Sequence, residues 1–181
     1  DLVTVYFGWN DHWLARGLED KDQSVDAGGG LSGMLDGLRC VQLARMLTGG
    51  LKNDGNAKVR VALSDYRENL TEIANLADSV GSEWWLITAP HAMDLSIPEY
   101  LLTSGEVDDP SKLITKHQSY NEVVREVAEQ SGSSLIDLES KIDALPKQSL
   151  FVDDHIHLTL EGREFAAKQI AEALVPAIEA N

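Results

Sequence analysis

The 181-residue sequence is poor in positive charge, with 15 lysine and arginine residues against 30 aspartate and glutamate residues, so its formal net charge is −15. A surface of that sign repels a nucleic-acid backbone and argues against a nucleic-acid partner. Its apolar runs fall far short of the roughly 18 residues that a membrane-spanning helix needs. Its single cysteine, Cys40, excludes an internal disulfide framework and a thiolate zinc cluster.

What the sequence does have is 43% apolar residues, enough for the core of one globular domain. Three runs rich in β-branched and aromatic residues predict buried strands over Leu2–Phe7, Glu83–Thr88 and Ser134–Leu138. A sheet of this kind usually has about five strands, so three are few. The strand over Leu2–Phe7 is therefore expected to lie at an edge that another segment covers.

Apolar residues that recur every three or four positions predict helices between these strands. They are expected over about 31–48, from Ser64 or Asp65 to Val80, around 120–128, and from Thr159 or Leu160 onward. Gly132 is expected to end the third helix, and the segment 91–110 is expected to be a mobile connection. Helices alternating with strands predict an α/β fold with a parallel sheet and helices on both of its faces.

The first segment with chemical potential, Gly8-Trp9-Asn10-Asp11, directly follows the first strand. Ligands of parallel sheets lie beyond the carboxyl ends of the strands. A glycine permits a tight turn there, and the Asn10 amide could donate a hydrogen bond to a bound group. Taken alone, the segment is better explained as an ordinary Asx turn with two tryptophans at the surface.

The second segment is Asp154-His155-Ile156-His157, which stands just before the last helix. A carboxylate three residues before a histidine can bind one ring nitrogen and leave the other free as a general base. Taken alone, this segment also fits a helix-capping carboxylate beside two surface histidines.

Together, these two segments resemble the third and fifth sequence blocks of the SGNH (GDSL-like) hydrolase superfamily. The resemblance implies a three-layer α/β/α, flavodoxin-like fold and a serine esterase or deacetylase that needs no cofactor. It assigns the general base to His157, the residue orienting it to Asp154, and an oxyanion donor to Asn10 in a turn that Gly8 opens. It also implies a small-molecule or glycan ester as substrate.

The sequence departs from the family pattern in its nucleophile, because the Gly-Asp-Ser block and the second-block glycine would lie upstream of Gly8. No other serine is a convincing substitute: Ser32 lies in a loop-to-helix passage, and Ser64, Ser82 and Ser96 do not follow a strand-to-helix elbow. We therefore expect residues 1–181 to be the carboxyl-terminal major part of a single hydrolase domain. A companion amino-terminal polypeptide of the same protein is expected to carry the serine and cover the first strand.

Two alternatives remain open at this point. His155 and His157 with Asp153 and Asp154 could ligate a metal, joined by His12 or His91, which would give a metal-dependent hydrolase. The cleft could also serve a catalytically inactive module that binds a carbohydrate or a protein partner.

Four further side chains are candidates for substrate contact. Trp9 and Trp13 flank Asn10 and could stack on a sugar or line an acyl pocket, or simply pack as a lid. Arg60 could hold an anionic group, although such an arginine more often pairs with a nearby acid. His91, directly after the second strand, is expected near the edge of the cleft.

Overall fold

The computed structural model of the chain describes residues 1–15, 19–23 and 58–180. Its strands and α-helices are, in chain order, β1 (Leu2–Val5), α1 (Leu63–Ser79), β2 (Glu83–Ile87), α2 (Glu99–Thr103), α3 (Leu113–Ser131), β3 (Ser134–Ile136), α4 (Leu138–Asp143) and α5 (Leu160–Ala180). The helix predicted over 31–48 lies outside the described residues. No helix of the described part combines the length and the apolar character needed to cross a membrane.

The three strands form a parallel sheet in the order β1-β2-β3. Leu2 pairs with Glu83 between the first two strands, and Trp85 pairs with Ser134 between the last two. All three predicted strands are thus confirmed, each ending one or two residues earlier than expected. In the described part of the chain, β1 and β3 are the outer strands.

Helices cover both faces of this sheet because side chains alternate along a buried strand. Trp84 and Leu86 of β2 pack against α1 and α3 in one core cluster. Ile87 and the partly buried Trp85 point the other way and pack in a second cluster with residues of α4 and α5. This three-layer α/β/α arrangement confirms the predicted fold class.

Of the predicted ends of the long helices, one is confirmed and one is wrong. Gly132 ends α3 as predicted, in the left-handed conformation that glycine adopts without strain. The start predicted for α1 at Ser64 or Asp65 is wrong, because its N-cap is Ala62, which offers no side-chain hydrogen bond. Burial of Tyr66 and of the residues that follow it at helical spacing fixes this start instead.

The connection predicted to be mobile, 91–110, is instead anchored in the core by several buried residues, although much of it is exposed. It contains α2, and its residues Met93 and Leu101 are buried against Trp13 and Leu113 in a third cluster. These apolar anchors are spaced irregularly between prolines and acidic residues. Because their spacing follows no helical or strand period, the sequence does not predict their burial, which orders the segment.

Candidate active site

A cavity of about 640 Å³ opens beyond the carboxyl ends of β1 and β2, where an α/β sheet places its ligands. It brings together residues that lie far apart in the sequence. Its lining includes Gly8, Trp9, Asn10, Trp13, Arg60 and His157. Five candidates from the sequence analysis thus line the same cavity as His157; they are Gly8, Trp9, Asn10, Trp13 and Arg60.

The turn after β1 requires a glycine at its first position. Gly8 has a φ of 137°, and a Cβ there would lie 3.1 Å from the Tyr66 hydroxyl oxygen. That hydroxyl donates a hydrogen bond to the Phe7 carbonyl oxygen at 3.1 Å, so it cannot easily retreat. Asn10 follows on the exposed side of the turn, and its side chain makes no hydrogen bond with the described residues. Its amide is therefore available to a ligand.

Trp9 forms a fixed wall of the cavity. Its ring stacks on the His117 ring with centroids 3.9 Å apart and planes 14° apart. Its Nε1 donates to the Pro90 carbonyl oxygen at 3.3 Å. Trp13 is buried behind it and reaches the same cavity. Both tryptophans therefore combine core packing with exposure to the cavity.

Behind this wall lies a buried histidine pair, His12 and His117, which are 2% and 1% exposed. His117 Nε2 lies 2.7 Å from the Ala89 carbonyl oxygen, which can only accept, so this nitrogen carries the proton. In the neutral ring, His117 Nδ1 then accepts from His12 Nε2 at 3.1 Å. His12 Nδ1 is left as a buried acceptor with no partner among the described residues.

The surroundings of this pair hold both rings neutral. Burial, reinforced by the Lys116 charge, lowers the pKa of His12 to about 4. Burial lowers the pKa of His117 to about 3, although its hydrogen bond to Ala89 opposes the change. Neither ring can take up a proton near neutral pH, so the pair has a structural role.

His157 is the opposite case, since 78% of its side chain is exposed. Its Nδ1 lies 2.6 Å from Asp154 Oδ2, while Asp154 Oδ1 accepts the backbone N–H groups of Ile156 and His157 at 2.9 and 2.8 Å. Burial raises the pKa of Asp154, but these hydrogen bonds outweigh it and leave the pKa below its ordinary value. The ionised carboxylate thus fixes the ring of a residue that lines the cavity and leaves its Nε2 without a hydrogen-bond partner among the described residues.

A short hairpin carries this pair. Phe151 and Leu158 form an antiparallel bridge, and the Val152 N–H donates to the His157 carbonyl oxygen at 2.9 Å. The first turn of α5 packs directly on it at Gly162, where a Cβ would lie 2.1 Å from the Leu150 carbonyl oxygen. Gly162 is therefore needed for the close approach of the helix to the hairpin rather than for chemistry.

Arg60 lies at the cavity wall, paired with an acid. Its Nη2 and Nε lie 2.9 and 3.3 Å from the two carboxylate oxygens of Asp20. Both side chains are partly exposed, so the pair is within reach of solvent and of a ligand. Of the two interpretations given above, the structure shows the ion pair.

His91 does not line this cavity, contrary to its expected place at the cleft edge. It is 3% exposed, its Nδ1 accepts the Met93 N–H at 3.1 Å, and its ring meets that of His117 edge to face. The buried connection after β2 turns the side chain inward. Burial, together with the Lys147 charge, also lowers its pKa.

The two histidines of the second motif are directed apart. His155 Nδ1 lies 2.7 Å from the Ser96 carbonyl oxygen, whereas His157 binds Asp154. Among the described residues, no group of three or more histidine, cysteine, aspartate or glutamate side chains is arranged to hold a metal ion. The described geometry therefore lends no support to the metal-site alternative.

The end of β3 carries a polar network that joins the strands. Asp137 caps α4 by accepting the Ser140 N–H at 3.2 Å, and it accepts the Thr88 hydroxyl at 2.9 Å. Arg125 binds both oxygens of Asp137 at 2.9 and 3.0 Å. Burial opposes ionisation of Asp137, but these partners hold its pKa well below the ordinary value. Asp137, at the end of β3, thus has a structural role.

Several cavity residues have no counterpart among the sequence-based candidates. They are Tyr6, Phe7, Asp11, Leu14, Asp20, Ala89, Tyr100, Glu106 and Ile156. His117 is missing from the sequence analysis too, although a signal exists. It precedes Tyr120 and Val124 by three and seven positions, which places it on the buried face of α3.

A model of the GDSL-like lipase/acylhydrolase family matches residues 1–165 of the sequence. No protein of curated function matches at a significant level. Among solved structures, a lipase/acylhydrolase from Enterococcus faecalis is similar, with 20% identity, a TM-score of 0.48, and coverage of 63% of this chain and 52% of that one. A candidate GDSL-like lipase from Parabacteroides merdae shows 16% identity, a TM-score of 0.49, and coverage of 72% and 54%. An alpha/beta hydrolase enzyme from the metagenome of Lake Arreo, Spain, shows 20% identity, a TM-score of 0.46, and coverage of 72% and 54%. The chain spans about half the length of these structures.

Proposed function

The chain belongs to the GDSL-like lipase/acylhydrolase family, and from this premise we propose that it forms the base-bearing and oxyanion-binding part of a serine ester hydrolase. The observation that carries the proposal is the Asp154–His157 hydrogen bond of 2.6 Å beside a cavity that Asn10 also lines. The reaction is the cleavage of a carboxylic ester through acyl transfer to serine.

His157 acts as the general base and then as the general acid. Its Nε2 takes the proton of the serine hydroxyl as the hydroxyl oxygen attacks the ester carbonyl carbon. Asp154 holds the Nδ1 proton and stabilises the imidazolium that forms. The same Nε2 then returns the proton to the leaving alkoxide. Water repeats the sequence and releases the acid from the acyl-enzyme.

Asn10 stabilises the tetrahedral oxyanion by donating from its side-chain amide. Support comes from its exposed place in the Gly8 turn and from the absence of a hydrogen-bond partner among the described residues. Trp9 and Trp13 offer the ester's remaining groups two flat apolar surfaces, suited to a small acyl ester or a glycan ester.

The serine comes from a part of the protein upstream of the β1 strand. In support, the described lining of the cavity contains no serine, and no described serine hydroxyl is hydrogen-bonded to His157. The same upstream part adds a strand beside β1, where Val3, Tyr6 and Phe7 are exposed. Residues 1–181 then form the larger, carboxyl-terminal share of one domain.

The test is a serine-reactive fluorophosphonate applied to the whole protein, followed by intact-mass spectrometry and an assay of p-nitrophenyl acetate hydrolysis. We expect one probe equivalent per protein, on a peptide that is not part of residues 1–181. Asn10→Ala should lower kcat by about 10²–10³ without preventing labelling or folding.

A protein that folds but neither takes up the probe nor hydrolyses the ester would refute the hydrolase proposal. The cleft would then belong to a binding module, which a glycan array would address. Ester hydrolysis that a chelator abolishes and the probe leaves intact would favour a metal-dependent hydrolase instead.

A further inference from the structure

His155 has an unusual backbone conformation directly beside the proposed catalytic pair. Among the described residues, it is the single non-glycine residue with a positive φ, at 60°. Left-handed backbone is disfavoured for residues with a Cβ, and such conformations concentrate at functional sites. Specific contacts must therefore hold it in place.

Three hydrogen bonds supply that hold. His155 Nδ1 lies 2.7 Å from the Ser96 carbonyl oxygen, so this nitrogen donates. The Ala92 N–H donates to the His155 carbonyl oxygen at 2.9 Å, and the His155 N–H donates to the Val152 carbonyl oxygen at 2.9 Å. Ser96 and Ala92 belong to the connection after β2, so His155 ties the hairpin to the sheet end.

The turn at His155 has a direct effect on Asp154. It reverses the chain so that the next two N–H groups, those of Ile156 and His157, both reach Asp154 Oδ1. Asp154 Oδ2 remains for the His157 ring. His155 is thus the residue whose backbone sets the path of the chain between Asp154 and the groups that its carboxylate accepts.

We propose that His155 is a positioning residue, whose left-handed turn and ring tether to Ser96 hold the Asp154–His157 pair in its active geometry. The catalytic consequence rests on the proposed function, whereas the geometric one does not. The tether also occupies Nδ1 of His155. His155 therefore supports the pair and does not act as a second base.

Three substitutions separate the two parts of this role. His155→Ala removes the ring and keeps a Cβ on left-handed backbone, so it should have the largest effect. His155→Gly relieves the backbone but lacks the tether. His155→Asn tolerates the left-handed conformation and keeps a side-chain donor. Val152→Ala is the matched control, because it shortens an exposed side chain of the same hairpin.

The first measurement is the proton NMR signal of the hydrogen-bonded His157 Nδ1–H, assigned by its loss in His157→Gln. We expect this signal in the unaltered protein, in Val152→Ala and in His155→Asn. It should be exchange-broadened beyond detection in His155→Ala and weakened in His155→Gly. Thermal unfolding of each variant shows whether the compared proteins are folded. If His155→Ala does not fold, His155→Gly takes its place in the comparison.

The second measurement is kcat and KM for p-nitrophenyl acetate with the whole protein. His155→Ala should lower kcat by about 10- to 100-fold with little change in KM, as expected for a misplaced catalytic group. His155→Asn should recover most of that loss. An unchanged signal and unchanged kcat in His155→Ala would overturn the proposal. Equal recovery by glycine and asparagine would overturn the role of the ring.

The outcomes also distinguish this inference from the proposed function. If the signal disappears in His155→Ala while even the unaltered protein has no hydrolase activity, the proposed function fails and the positioning role stands. If hydrolysis is present and independent of His155, the proposed function stands and the positioning role fails.

Discussion

The molecule contains two close pairs that include a histidine, His12–His117 and Asp154–His157, and they differ in almost every physical respect. His12 and His117 are buried, bind each other and a backbone carbonyl, and have strongly lowered pKa values. His157 is exposed and bound to Asp154. Burial opposes ionisation of Asp154, but the backbone N–H groups of His157 and Ile156, together with the His157 ring, leave its pKa lowered. The same side chain is thus a neutral packing unit in one place and an exposed, carboxylate-bound group in the other.

The comparison teaches that burial, more than residue type, decides which histidine is available for chemistry. It also predicts a separation of effects. Changes in the buried pair should act on stability, and changes in the exposed pair should act on activity.

The largest expected effect is on activity, from His157→Ala in the whole protein. Loss of a general base typically costs about 10²–10⁴ in rate, so kcat should fall by that factor. The free energy of unfolding in urea should change by no more than about 0.5 kcal/mol, because the side chain is mostly exposed. A large loss of stability with unchanged kcat would reverse the comparison.

The next effect is on stability, from His117→Ala. This change removes the ring that stacks on Trp9 and leaves the Ala89 and His12 hydrogen bonds incomplete. We expect a loss of about 2–5 kcal/mol in the free energy of unfolding, measured by urea denaturation. Thr115→Ala, on the exposed side of the same helix, is the matched control. A loss below 1 kcal/mol would show that the buried pair is dispensable.

The pH dependence of stability should sharpen the contrast further. His12 and His117 have a pKa of 6.5 when unfolded but about 4 and about 3 when folded. The unfolded state therefore binds protons first, and stability is lost as the pH falls below 6.5. Each group should contribute a slope of about 1.4 kcal/mol per pH unit between pH 6 and 5.

Urea unfolding at a series of pH values would measure this slope. A stability that stays constant between pH 7 and 5 would contradict the neutral, buried state of the pair.

The smallest expected effect concerns Arg60. Its ion pair with Asp20 is partly exposed, and exposed pairs contribute about 0–1 kcal/mol. Arg60→Gln should therefore leave the free energy of unfolding within about 1 kcal/mol of the original. A rise in KM confined to esters of anionic acids would assign Arg60 to substrate binding, and an unchanged KM for all esters would confine it to the ion pair.

The exposed pair could be predicted from the sequence because its geometry is local. Asp154 and His157 are three residues apart, and one turn of chain brings them together. The sheet was predictable for a similar reason, since each strand is a short run rich in apolar residues. Gly8 likewise carries its conformational requirement in its own residue type.

The buried pair could not be predicted, because it depends on contacts between distant segments. His12 and His117 meet only after α3 packs against the turn that follows β1. His91 has the same origin: its inward orientation follows from the packing of the whole connection after β2, which has no periodic pattern. Local spacing identifies motifs, but it does not report which side of them the core will occupy.

The parallel order of the sheet has a consequence for how the protein folds. Leu2 pairs with Glu83 and Trp85 with Ser134, so every strand pairing joins segments that are distant in the chain. Such contacts form late, after local helices. Asn10 follows the first strand, and His157 lies on the hairpin that precedes the last helix. The cavity that both residues line therefore forms only after the strands have paired. A refolding chain should regain its helical signal well before Asn10 and His157 come together at one cavity.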